Sequence, residues 1–215
     1  MTKDLHMRDP RRDRTATLSE TDRGVTRYNQ VETGEVTLEQ ANGVGLRQTT
    51  GNDGLSVSED PAFDIRDVFV RQGAGADVAY VPTAYNPEHD DRWPPPADTP
   101  TRLPRRYLTL NGGTSSTNGQ PDVDRLVLDV DARGRVSGSF TNLGNGSFRY
   151  RNAQGNLDLV FSEYERVLFQ PGFDGAATSE HIDLSQLSRL PVGTSRSARS
   201  LLVDQESATP PQRRT

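Results

Sequence analysis

Three histidines, His6, His89 and His181, are the only imidazoles of the chain, and none stands near another in sequence. His89, Asp90 and Asp91 follow Glu88 and carry metal-capable side chains. Adjacent residues on an extended chain point alternately and do not converge on one ion, so a solvated acidic cluster accounts for them. Glu180, His181 and Asp183 have the same weakness. Asp122, Asp124, Asp129 and Asp131 have the acidity of a calcium loop without its spacing or its fixed glycine, and read as strand-face charges. No Gly-x-Ser-x-Gly elbow occurs, Ser179 and His181 have no spacing that brings hydroxyl and imidazole together, and Gly73-x-Gly75 lacks the rest of a dinucleotide fingerprint. Among 30 acidic residues some pair always fits a glycosidase separation, so spacing nominates none. No catalytic, cofactor or metal residue is assigned, and the chain is expected not to be an enzyme. A hydrolase whose carboxylates the sequence does not single out remains an alternative.

Residue types suited to recognition stand out more. Trp93, the only tryptophan, lies in a segment with prolines at 87, 94, 95, 96, 100 and 104, just beyond Tyr85. Such a segment cannot pair in a ladder and favours extended, polyproline-like chain. A tryptophan among prolines pins the strap to its domain or offers an anchor to a partner. Arg11 and Arg12 sit in a polar N-terminal arm where aspartates alternate with arginines and cancel the field that phosphate binding needs. Leu201, Leu202 and Val203 form an apolar patch in a polar tail and require a groove on this chain or a neighbour. Tyr107, Phe140, Phe148, Tyr150, Phe161 and Phe169 with Arg149 and Arg151 could line an aromatic, basic face for single-stranded nucleic acid. Their alternation instead assigns Phe140 and Phe148 to a core, which argues against nucleic acid.

The elements that would position these residues are strands. Over residues 125–141 apolar side chains alternate at Leu126, Leu128, Val130, Val136 and Phe140 around an Asp-Ala-Arg-Gly break. A three-residue loop would pair Leu128 with Gly138 and Leu126 with Phe140, leaving room beside Gly138 for Phe140 or a neighbour. Over 148–161 a four-residue loop would pair Tyr150 with Leu157, Phe148 with Leu159 and Arg149 with Asp158. Short β-like runs at 25–28, 35–38, 44–47 and 55–57, separated by glycine turns, read as a meander or a fibre-like β segment. They share no repeat signature, which argues against a solenoid. In Phe63 to Val70 the apolar phase shifts after Ile65, as at a bulge or a two-sided strand. Asp183, Gln186 and the spacing of Leu184, Leu187 and Leu190 before Pro191 predict one short capped helix.

The expected fold is all-β, an antiparallel sandwich or small barrel with extended arms. It divides into an N-terminal arm (1–22), a short-strand region (23–85), the proline strap (86–104), a hairpin core (105–175) and a C-terminal arm with one helix (176–215). Hydrophobic residues make up only 32% of the chain, so much of it lies outside a core. Cysteine is absent, no run is apolar enough to span a membrane, and the charged start carries no secretory signal. The net charge of −5 gives no general pull toward nucleic acid. Together these point to a non-enzymatic structural subunit of a large assembly. The expected setting is a virion of a tailed phage or virus, assembled in the host cytoplasm, where the arms contact copies of the chain and other subunits. The alternative is a carbohydrate- or surface-binding β module in which Trp93, Tyr85 and the 111–120 loop line a shallow site.

Overall fold

The computed structural model describes residues 4–9, 14–19, 26–27, 35–38, 41–42, 44–47, 54–57, 65–83, 105–113, 123–130, 134–171 and 179–203. Period-two alternation makes these segments mostly strand, and the fold is all-β. The short glycine-punctuated runs become β3 (Thr26–Arg27), β4 (Glu35–Leu38), β6 (Val44–Arg47) and β7 (Gly54–Val57), with β5 (Ala41–Asn42) between and a preceding hairpin of β1 (Asp4–Asp9) and β2 (Arg14–Ser19). Then come β8 (Ile65–Arg66), β9 (Val68–Arg71), β10 (Val78–Val81), β11 (Arg106–Asn111) and β12 (Arg125–Asp129). The chain continues through β13 (Ser139–Gly144), β14 (Ser147–Arg151), β15 (Leu157–Ser162), β16 (Arg166–Gln170) and β17 (Glu180–Ile182) to the helix α1 (Leu184–Ser188) and β18 (Ser195–Ser197).

Consecutive strands do not pair with each other through most of the chain; they alternate between sheets. One sheet stacks β3, β6, β9, β11 and β15 in parallel, and the other stacks β4, β7, β10, β12 and β16 in parallel. In the first two turns a third strand, β5 or β8, forms a small parallel sheet. Each turn of the chain thus lays one strand on each sheet, and this connectivity defines a parallel β-solenoid. The pairing departs from the antiparallel meander expected over the short runs. It also separates the two halves of the expected hairpin at 125–141: Leu126 lies between Ala79 and Val167, while Phe140 pairs with Tyr150.

The physical reason lies in β12, where Leu126, Val127 and Leu128 are all buried. A strand covered on both faces suits the middle of a parallel sheet, not a hairpin with one wet side. Its inward residues join a core shared by both sheets, with Leu46, Val70, Leu110 and Phe161 from one and Leu55, Ala79, Leu126 and Phe169 from the other. Val127 packs with Tyr80 and Leu168 in a smaller cluster on the other face. The phase shift after Ile65 is a corner, not a bulge within one strand. Asp67 takes a left-handed φ of 50° there and passes the chain from β8 to β9, so Ile65, Val68 and Val70 all turn inward.

The second expected hairpin exists, but its register lies two residues further on, with Tyr150 opposite Leu159 and Phe148 opposite Phe161. A two-residue slip keeps every side chain on its face. Asn152 sets the register: its Oδ1 accepts from the backbone N–H of Asn156 (3.1 Å) and of Leu157 (3.0 Å), which draws the turn one position along. Gly138 leaves room for a neighbour, as its spacing suggested. Tyr150 is that neighbour, its ring lying where a Cβ would be and its hydroxyl donating to the Ser137 carbonyl at 3.0 Å.

The solenoid is closed at its C-terminal end. After β15 the first sheet continues through antiparallel β14, β13 and β18, and after β16 the second ends in antiparallel β17. The expected helix forms between them. Asp183 caps it, accepting from the backbone N–H of Ser185 (2.9 Å) and Gln186 (3.2 Å), while Leu187 is buried and Leu184 and Leu190 pack against the core. The Ser185 hydroxyl, then the backbone bonds, hold the Asp183 carboxyl below its ordinary range. A depressed carboxyl stabilises the fold fully above about pH 4 and loses that contribution as pH falls through the lowered value. Asp183→Ala should cost about 1 kcal/mol in urea unfolding at neutral pH, and Asp183→Asn should keep most of the cap while removing its acid-side loss.

Candidate functional site

A set of buried polar groups lies at the corner where the chain leaves the first sheet for the second. Gln72, Asp77 and Asp124 are buried there, at the turns that follow β9 and β11, and Tyr164 is buried after β15. The Tyr164 hydroxyl donates to Gln72 Oε1 at 2.6 Å. Asp124 Oδ1 accepts from the Asp77 N–H at 2.9 Å, and Glu165 Oε2 accepts from the Asp124 N–H at 2.7 Å. Backbone bonds run alongside, from Arg125 N to the Asp77 carbonyl (2.8 Å) and from Arg166 N to the Asp124 carbonyl (3.1 Å). Asp124 and Glu165 therefore each receive the backbone N–H of an adjacent turn, a staple that holds successive rungs together.

That arrangement accounts for these carboxylates structurally. Burial, with the negative charges of Asp124 and Asp77 adding to it, pushes the Tyr164 phenol well above its usual range and keeps it a neutral hydrogen-bond donor. Backbone approaches backbone closely at this corner. Gly113 has φ of 112°, and a Cβ on it would collide with the Gly73 carbonyl. Asp124→Ala would strand the buried Asp77 N–H and should cost about 1–3 kcal/mol, with Asp124→Asn, which retains an acceptor, costing clearly less. Denaturant midpoints of the two variants compare these directly. Asp129 is buried in β12, and Asp122 and Asp131 lie outside the described residues.

Among the described residues no three histidine or acidic side chains converge in a way that could hold a metal ion. His181 sits on β17 beside Leu168, and His6 on β1; His89 lies outside the described residues. Trp93, Tyr85, Arg11 and Arg12 also lie outside them, as does most of the 111–120 loop. The apolar patch finds its groove on this chain. Leu201 is buried in the core and Leu202 packs against it, in a 3₁₀ turn (Ala198–Leu201) and the residue after it, whereas Val203 is exposed. Of the rings considered for nucleic acid, Phe140, Phe148, Tyr150, Phe161 and Phe169 are all buried, and only Tyr107 is exposed.

Among the described residues the fold leaves its two ends and the outer face of the first sheet for partners. The N-terminal end finishes, among the described residues, in β3 and β4, parallel edge strands of the two sheets, with β1 of the preceding hairpin beside β4. The C-terminal end finishes in β17 and β18, three residues each and antiparallel to their neighbours. No helix of the described residues is long and apolar enough to cross a membrane. The protein is thus defined by architecture, as a parallel β-solenoid with an antiparallel C-terminal cap. No family model matches the chain, and no solved structure matches it.

Proposed function

We propose that this chain is a structural, non-enzymatic subunit of a large assembly, joined to copies of itself or to other subunits through its N-terminal end and its terminal extensions. The observation that carries the reading is the inequality of the two ends. A parallel edge strand presents a row of backbone donors and acceptors that can receive another strand. Among the described residues the first sheet ends that way at β3 and the second at β4, with β1 of the hairpin beside it, while short antiparallel strands and α1 close the other end. A stiff stack of rungs with one receptive end and one finished end suits the terminal unit of a fibre or tail. A virion of a tailed phage or virus is the setting we propose for it, as decoration, minor capsid, connector or tail component.

Electron microscopy of the purified protein and of its native particle tests this. The expected result is defined oligomers or decorated particles, lost on deletion of residues 1–22 with the solenoid still folded. A protein that stays a monodisperse monomer and joins no particle would sink the reading. The C-terminal deletion to compare begins at residue 204, because residues up to Val203 belong to the cap.

A further inference from the structure

The outer face of the first sheet carries one composite feature that neither the core nor the cap uses. Phe69 on β9 and Tyr107 on β11 are the two large aromatic side chains exposed among the described residues, at 47% and 41%. Phe69 stands opposite Thr109, two residues along the same face from Tyr107, so the rings are diagonal neighbours across adjacent strands. Tyr107 stands opposite Asp158, and Asp158 opposite Arg151. Arg151 Nε and Nη2 both reach Asp158 Oδ2, at 2.9 and 2.8 Å, while Arg149 Nε lies 3.1 Å from Oδ1. One carboxylate thus holds two guanidinium groups in place beside two exposed rings. From Phe69 to the arginines the feature spans three strand spacings, roughly 14 Å.

The charge balance of this face selects among occupants. On the described strands β9, β11, β13, β14, β15 and β18 its outward positions carry Arg71, Arg149 and Arg151, and Asp158 is the only acid there. The face is therefore net positive in a chain of net charge −5. An anion is favoured, but not a phosphate backbone. Nucleic-acid affinity rises with the number of phosphates neutralised, and here the central acid offsets one of few cations. A broad protein interface would call for more apolar surface than two rings with Val160 between polar neighbours.

We propose that this face binds an acidic saccharide, a sugar chain carrying carboxylates. The apolar faces of successive pyranose rings stack on Phe69 and Tyr107. The Arg149 and Arg151 forks, pre-oriented by Asp158, take the sugar carboxylate through charge-assisted hydrogen bonds, and Asp158 accepts from a ring hydroxyl. None of these residues is Trp93 or Tyr85, and binding by an isolated chain needs no assembly.

Calorimetric titration with a galacturonic-acid oligosaccharide, set beside the neutral galactose oligosaccharide of equal length, tests the proposal. The acidic sugar should bind and the neutral one should bind at least about tenfold more weakly. Phe69→Ala with Tyr107→Ala should weaken the acidic sugar by about tenfold or more, and Arg149→Gln with Arg151→Gln should erase the preference for acid over neutral. All four positions are at the surface, and unchanged circular dichroism and melting would confirm folding. The proposal is overturned if neither sugar binds, if the two bind equally, or if the substitutions leave binding unchanged. Tight binding of a single-stranded DNA oligonucleotide, or a dimer dissolved by Phe69→Ala with Tyr107→Ala, would overturn it in favour of another occupant.

Discussion

Ending the chain after Pro171 should turn a folded solenoid into an aggregating chain. The truncation removes β17, α1, β18 and the 3₁₀ turn, and with them Ile182, Leu187, Ala198 and Leu201 from the core. The three larger side chains alone correspond to roughly 1.5–3 kcal/mol each, a sum comparable with the whole stability of an ordinary domain. The loss also uncovers the ladder edges of β16 and β13, and Asn142 loses the Leu190 carbonyl that its Nδ2 reaches at 2.6 Å. Bare edges of long sheets recruit one another. Size-exclusion chromatography should show the truncated chain in large aggregates or unfolded. A folded monomer with an unchanged melting temperature would mean that this segment is not a cap.

Phe140→Ala should be among the most destabilising single substitutions, at about 3–5 kcal/mol. Phe140 is completely buried and meets Tyr150 at 5.0 Å, Phe161 at 6.1 Å and Phe169 at 6.3 Å between ring centroids. Tyr150 and Phe161 belong to the first sheet and Phe169 to the second, so the ring joins the sheets where the cap begins. A cavity there removes packing from both, and neighbours held in two ladders cannot collapse into it. Urea unfolding should show a much lower midpoint. Phe69→Ala on the outer face of the same sheet should shift it little, since surface substitutions of this kind stay within about 0.5 kcal/mol. Equal effects at the two positions would contradict the assignment of inner and outer faces.

The strands were legible because period-two alternation is local, and it located β4, β6, β12 and β16 within a residue or two. The helix was legible for the same reason, since Asp183, its leucines and Pro191 are all within one short segment. Pairing was not, because a parallel partner lies a whole turn of the solenoid away. Thr26 meets Val44 and Leu110 meets Phe161, so the interval between rungs grows from about 18 to about 51 residues as the proline segment, the 111–120 loop and the β13–β14 hairpin enter. A stretched interval leaves no repeat to detect. Leu126, Leu128 and Val130 also satisfy a hairpin and a parallel ladder equally well on their inner face. The discriminating signal was Val127, whose burial completes an apolar run covered on both sides.

Candidate sites were less legible than strands. Gln72, Asp77 and Asp124 are polar residues in turns, and nothing local distinguishes a turn that stacks on another turn from one in water. The outer face is similar: Phe69 and Tyr107 become a pair, and Arg149 and Arg151 share Asp158, only once β9, β11, β15 and β14 lie side by side. Without the strand order, the alternation showed only that the apolar phase shifts after Ile65.

The central claim, that β12 lies beside β16 in parallel and not in a hairpin with β13, can be tested by cross-linking because the chain contains no cysteine. Arg125 pairs with Arg166, and both are exposed. The variant Arg125→Cys/Arg166→Cys should form an intramolecular disulfide under mild oxidation, seen as a mobility shift on a non-reducing gel, because facing strand positions lie within disulfide reach. The antiparallel hairpin would instead bring residue 125 opposite residue 141. Cross-linking of Arg125→Cys/Thr141→Cys, with none between 125 and 166, would contradict the solenoid.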